Sequence, residues 1–145
     1  MSTLLYFVVN DSFYDKLLPK VQLPEGVVIS SLRQTANVNP DLVSKYYGKL
    51  ANVDDDAVVA LNTAFAQDGL FIYVPKNVKV GRTVQVINIL RSDVDLMANR
   101  RVVIVLEEGA SMDILFCDHT MDEKNFLATQ VMEVYAGRNS HLGLF

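Results

Sequence analysis

The chain has 145 residues, half of them apolar and 21% charged, a balance that suits one domain with a real core and argues against a disordered chain. A net charge of −4 and a pI near 5.0 argue against a nucleic-acid partner, which calls for a basic face. The longest apolar run, Leu4 to Val9, falls far short of the ~20 residues a bilayer span needs and lacks a signal peptide's basic start and cleavage site.

The single cysteine, Cys117, excludes an internal disulfide and fits a reducing compartment, so a cytoplasmic location is expected, with no membrane and no nucleic acid among the partners. A mean hydropathy of +0.20 without a membrane segment points to some apolar surface made for a partner.

Leu4 to Val9 reads as a strand, and Asn10-Asp11-Ser12 as a turn, because Asn and Asp side chains bond their own nearby backbone. Leu23-Pro24-Glu25-Gly26 is a second turn, followed by strand-like Val27 to Ser30. Asn39 before Pro40 places an N-cap ahead of proline at the first helical position. Leu42, Tyr46 and Leu50 follow at i, i+4 and i+8, with Val43 and Tyr47 beside them, as the apolar stripe of that helix. Asp54, Asp55 and Asp56 open a second helix whose buried face is expected at Val58, Leu61 and Phe65. Gly69 is expected to end it in the left-handed conformation.

After Gly69 the pattern is β throughout. Phe71–Val74, Val84–Leu90, Val102–Leu106, Met112–Cys117, Ala128–Val134 and His141–Phe145 are rich in Val, Ile, Leu and Phe. The turns between them repeat loosely. Val74 precedes Asn77, Leu106 precedes Gly109 and Ala136 precedes Asn139, each pair three residues apart and each ending on a residue tolerant of positive φ. Asn77, Gly109 and Asn139 lie 32 and then 30 residues apart, and periods of that size point to a solenoid. The expected fold is mainly β, a right-handed parallel β-helix preceded by a small α/β cap with two helices; an antiparallel sandwich is the alternative. Residues 1–69 would form the cap and 70–145 the rungs of one continuous domain. Phe145 falls inside an apolar strand with no polar cap, so the stack is expected to continue, in a longer chain or through a partner.

"ALNTAFAQDGLFIYVPKNVKV" (60–80), "VQVINIL" (84–90) and "NRRVVIVLEEGASMDIL" (99–115) resemble, in that order, the SufB/SufD family of iron–sulfur cluster assembly proteins, and SufD more than SufB. "VVND" (8–11) and "LPEGVVISSL" (23–32) resemble the front of such chains. The resemblance implies a non-catalytic scaffold with a β-helix core, working with a SufB-type subunit, or as a homodimer, and with a SufC-type ABC ATPase. It further implies that a cluster is held transiently by the assembled complex rather than by this stretch of chain. In the family, the segment that holds SufC and the late rungs tied to cluster formation lie beyond these residues, so no catalytic, cofactor-binding or metal residue is carried over.

Read directly, the residues offer little chemistry. Cys117 and His119 point to one side of a strand, and His141 would stack near His119 if rungs align, but two or three ligands fall short of a closed site. Cys117 is read instead as a buried small hydrophobe. Asp113, Asp118, Asp122 and Glu123 invite comparison with β-helix polysaccharide lyases, yet only Lys124 stands near as a basic partner, and a solvated loop is expected. Arg100-Arg101 reads as a strand-start charge and a salt bridge. No phosphate-binding loop, dinucleotide fingerprint or nucleophile elbow is present. The expected function is a Suf scaffold subunit that is not itself an enzyme; a carbohydrate-binding or lyase-type β-solenoid is the competing reading.

Overall fold

A computed structural model describes residues 3–16 and 22–145. They form nine strands and three helices: β1 (Leu4–Val9), β2 (Ser12–Tyr14), β3 (Val28–Ser31), α1 (Leu32–Val38), α2 (Pro40–Tyr46), α3 (Ala57–Phe65), β4 (Leu70–Val74), β5 (Val84–Leu90), β6 (Leu96–Leu106), β7 (Ser111–Thr120), β8 (Phe126–Ala136) and β9 (His141–Leu144). The fold is mainly β, in two mixed sheets. One has the order β2-β1-β5-β7-β9 and the other β3-β4-β6-β8, so from β4 onward successive strands alternate between sheets.

The β1–β5–β7–β9 and β4–β6–β8 pairings are all parallel, and only β1–β2 and β3–β4 are antiparallel. That sets aside the antiparallel sandwich. The pairing also explains the loose repeat in the sequence. Val74 lies opposite Leu106 and Leu106 opposite Ala136, while Val84 lies opposite Ile114 and Ile114 opposite Leu144. Three residues past the first column, Asn77, Gly109 and Asn139 all adopt positive φ (61°, 69° and 56°). The turns stack through bonds from Asn77 N–H to the Glu108 carbonyl and from Gly109 N–H to the Arg138 carbonyl, both 2.9 Å. A Cβ on residue 109 would press on Asn77 Oδ1, and its positive φ disfavours any L side chain, so the middle turn favours glycine.

Alternation within the strands decides what is buried. In β5, Val84, Val86, Asn88 and Leu90 face inward while Gln85, Ile87 and Ile89 are partly exposed. Between the sheets, Leu4, Val8, Leu70, Ile72, Val84, Val86, Ile104, Met112 and Ile114 form the main core. Outside β4 and β6, Phe71, Val103 and Val105 are covered by Leu32 and Val43 of α1 and α2. Burial at this level stabilises the fold by roughly 1.5–3 kcal/mol per large side chain.

The helical segment departs from expectation in four places. Three helices stand where two were expected, because Ser31 caps an additional one by accepting from Gln34 N–H. Asn39 then both closes α1 and caps α2, with Pro40 at the first position. α2 stops at Tyr46, so Leu50 lies outside the helix and is exposed. α3 is capped by Asp56, whose carboxylate accepts from Val58 and Val59 N–H, but it ends at Phe65 with Ala66 as C-cap. Gly69 is therefore no helix terminus and its φ is not positive. It is required because a Cβ there would meet the Arg101 carbonyl at 2.1 Å.

The fourth departure concerns the buried face of α3. Of the expected positions, Val58 and Phe65 are each 53% exposed and only Leu61 is partly buried, whereas Asn62 is wholly buried and Val59, Thr63 and Ala66 are partly buried. The helix lies against β6 and β8 on its 59/62/63/66 stripe, one residue round from the apolar one. The cause is polar: Asn62 Nδ2 donates to the Arg100 carbonyl (2.8 Å) and to Thr129 Oγ1 (3.0 Å). Those bonds from Nδ2 tie α3 to β6 and β8 at Asn62.

Candidate functional site

The residues singled out for chemistry do not converge. Cys117 is half-buried opposite Ile87, with the Gln85 amide 3.4 Å from its Sγ, and His119 is exposed near the end of β7. His141 lies opposite Ser111, at the other end of β7 from His119, and its imidazole is 3.5 Å from Asp113. The expected stacking of the two histidines therefore fails, because the 30-residue register brings His141 to residue 111. Among the described residues no three His, Cys, Asp or Glu side chains gather to hold a metal ion.

The acids expected in a solvated loop are also dispersed. Asp118 pairs with Arg100, a basic partner that local sequence did not reveal, and Asp122 accepts from Ser92 N–H. Asp95 accepts from the Asn125 backbone N–H and side-chain amide, which hold its carboxyl below the ordinary range.

Charged and amide side chains are instead used to fasten elements together. Arg101 and Glu133 form an ion pair at 2.9 Å with both side chains fully buried on the helix-covered side of β6 and β8. Glu133 also accepts from the backbone N–H groups of Gly48 (2.8 Å), Leu50 (2.8 Å) and Ala51 (3.1 Å). Burial by itself raises the Glu133 carboxyl, but those three donors and the Arg101 guanidinium outweigh it and hold the group below the ordinary glutamate range. Arg101 donates to Thr63 Oγ1 (2.9 Å) and lies over the Tyr47 ring, 4.7 Å from its centroid. Tyr135 OH donates to the Tyr46 carbonyl (2.7 Å) while the two rings meet edge to face. One ion pair thus holds the α2–α3 loop, α3 and two strands together.

A second fastening explains the abrupt change of period at Asp68-Gly69. The buried Asp68 carboxylate accepts from Phe13 N–H (3.1 Å), Ser31 Oγ (2.8 Å) and Arg33 N–H (3.0 Å). The chain needs no linker there, because this carboxylate joins β2, the start of α1 and the entry to β4. Asn62, Asp68 and Glu133 were not recognised as structural from sequence. The available signal was a charge or amide set within an apolar stretch, as at Glu133 in "QVMEVY".

What remains as a candidate functional feature is the edge that each sheet has at its β8 or β9 end, opposite the ends where β3 and β2 are outermost. Within the described residues β8 pairs only with β6, and β9 only with β7, so each presents an unpaired row of backbone donors and acceptors. Leu127 (58% exposed), Leu144 and Phe145 flank them. Exposed edges of this kind are templates for a further strand. No helix among the described residues is long and apolar enough to cross a membrane.

A family model described as SufBD protein N-terminal region matches residues 1–86. An iron–sulfur cluster assembly SufBD family protein of Arabidopsis thaliana is 31% identical over 118 residues, covering 81% of this chain and 25% of that protein. A SufBD family protein of Synechocystis is 33% identical over 119 residues (81% and 25%), and the iron–sulfur cluster assembly protein SufD of Bacillus subtilis is 32% identical over 120 residues (80% and 27%). The chain spans about a quarter of the length of these relatives.

Proposed function

The chain belongs to the SufB/SufD family, and from that premise we propose that it supplies the cap and first windings of a scaffold subunit for iron–sulfur cluster assembly. The family match over residues 1–86 carries this reading, supported by relatives whose names state iron–sulfur cluster assembly. In this proposal the two sheets are opposite walls of a parallel β-helix. Strands alternate between the walls, partners recur at offsets of about 30 residues, and the turns repeat one backbone geometry, all of which a coil requires. The free edges of β8 and β9 are where the next winding adds.

The subunit acts without chemistry of its own. It presents a rigid frame on which a SufB-type subunit, or a second copy, and a SufC-type ATPase assemble in the cytoplasm. The cluster is cargo of that assembly and not a resident group of these residues. The lyase-type reading has no support, since its acids are spread over separate pairings.

Anaerobic purification of the tagged protein from its own cells, with identification of what co-elutes, tests the proposal. Co-elution of an ABC-type ATPase and a second SufBD-type chain is the expected result. Elution of the protein alone, with cluster assembly unaffected when it is deleted, overturns it.

A further inference from the structure

Toward one end of the space between the sheets the core turns from apolar to polar. Asn88 of β5 lies between Val8 of β1 and Asp118 of β7 in register. From the opposite sheet, Arg100 of β6 donates from Nε to the Asn10 carbonyl (3.0 Å) and from Nη1 to Asp118. Both side chains are withdrawn from solvent, Asn88 to 2% exposure and Arg100 to 5%. Each nevertheless keeps one buried donor without a protein partner, Asn88 Nδ2 and Arg100 Nη2. Both residues line one narrow cavity of about 10 Å³, together with Asp11, Val86 and Phe116.

We propose that this cavity is a binding site for a single water molecule, which accepts from Asn88 Nδ2 and Arg100 Nη2 at once and so ties the two sheets together. Three observations select water. The volume is at the lower limit for one water, roughly 10–15 Å³, and below that for a larger ligand. Both groups without partners are donors, so the occupant must accept twice, which water does with its two lone pairs and a metal cation does not. An anion is disfavoured because Asp118 already matches the Arg100 charge and Asp11 places a second carboxylate on the wall. Water, unlike an anion, returns its own two protons to acceptors such as Asp11. Buried groups of this kind are rarely left without a partner, because an unmade bond forfeits the hydration that burial removed.

The test is a crystal structure of this chain at a resolution that shows ordered solvent, beside the same structure of Asn88→Leu. The expected result is one solvent peak at roughly 2.7–3.2 Å from both Asn88 Nδ2 and Arg100 Nη2, lost in the variant. Three findings overturn the proposal: no peak in the parent structure, a direct bond from Asp11 to Arg100 Nη2 that closes the cavity, or a peak unchanged in Asn88→Leu. Should the variant fail to fold, the parent alone decides, with water-to-side-chain NOEs at Asn88 Nδ2 as the second readout. A long-lived water gives that cross-peak; a visible Asn88 amide without one counts against the site.

Discussion

Replacing Glu133 by glutamine changes one atom in the fully buried ion pair with Arg101 and tests whether that pair holds the helices to the sheet. The side-chain shape is preserved, so no cavity forms. Glu133 Oε1 accepts from Leu50 and Ala51, and Oε2 from Gly48 and from Arg101 Nη2 at 2.9 Å. An amide can keep one of these oxygens, but its NH₂ group then faces two donors, and the Arg101 charge stays buried without a counter-ion. Removing one partner of a buried pair costs about 3–5 kcal/mol, a large share of the roughly 5–15 kcal/mol that stabilises a domain.

Urea unfolding followed by far-UV circular dichroism measures the loss. Amide hydrogen exchange should show Gly48, Leu50 and Ala51 losing protection before the core strands do. The pH dependence has a definite sign. The folded carboxyl lies below the ordinary range, so its contribution is fully present above the unfolded value of about 4.3 and fades as pH falls through the lower folded value. The gap between parent and Glu133→Gln should close on acidification. Arg101→Met combined with Glu133→Gln should be less damaging than Glu133→Gln alone, since the amide oxygen still accepts from the loop N–H groups and no charge is then stranded. A loss below about 1 kcal/mol, where exposed pairs lie, with loop protection intact, would refute the reasoning.

Gly109→Ala should cost about 1–2 kcal/mol for the left-handed backbone alone and more from the contact with Asn77. Adding Asn77→Ala should recover only the contact part in a double-mutant cycle of urea midpoints. Asp56→Ala should cost about 1 kcal/mol through the lost cap of α3, while Asp54→Ala should stay within about 0.5 kcal/mol; equal effects would mean that charge rather than capping matters. Anaerobic incubation of the chain with iron and sulfide should give the same visible spectrum for the parent and Cys117→Ser, because among the described residues no three metal-binding side chains gather around Cys117; absorbance lost with the thiol would establish a site there.

The strands after Gly69 were legible because their signal is local. A run such as Val84–Leu90 declares its two faces by alternation alone, and positive φ can be read from Asn and Gly at equal spacing. Asn39-Pro40 and Asp56 were legible as caps for the same reason, since a cap binds N–H groups two or three residues away. The stripe on α3 misled because hydrophobicity is only a proxy for burial. Asn62 takes the inward place through bonds to Arg100 and Thr129, residues 38 and 67 positions away. The histidine alignment failed in the same way: His119 and His141 share a strand type, but register places His141 against Ser111.

From its own residues the chain thus determines where strands and caps lie, that the turns recur, and which family it belongs to, since each depends on neighbours within a few positions or on an ordered run of letters. The tertiary structure alone decides which sheet each strand joins, which face of α3 is covered, and that Asp68, Arg101 and Glu133 are fastenings rather than surface charges. Those outcomes depend on groups 30 to 90 residues apart, and a carboxylate is stable in the interior only once its donors have been brought to it.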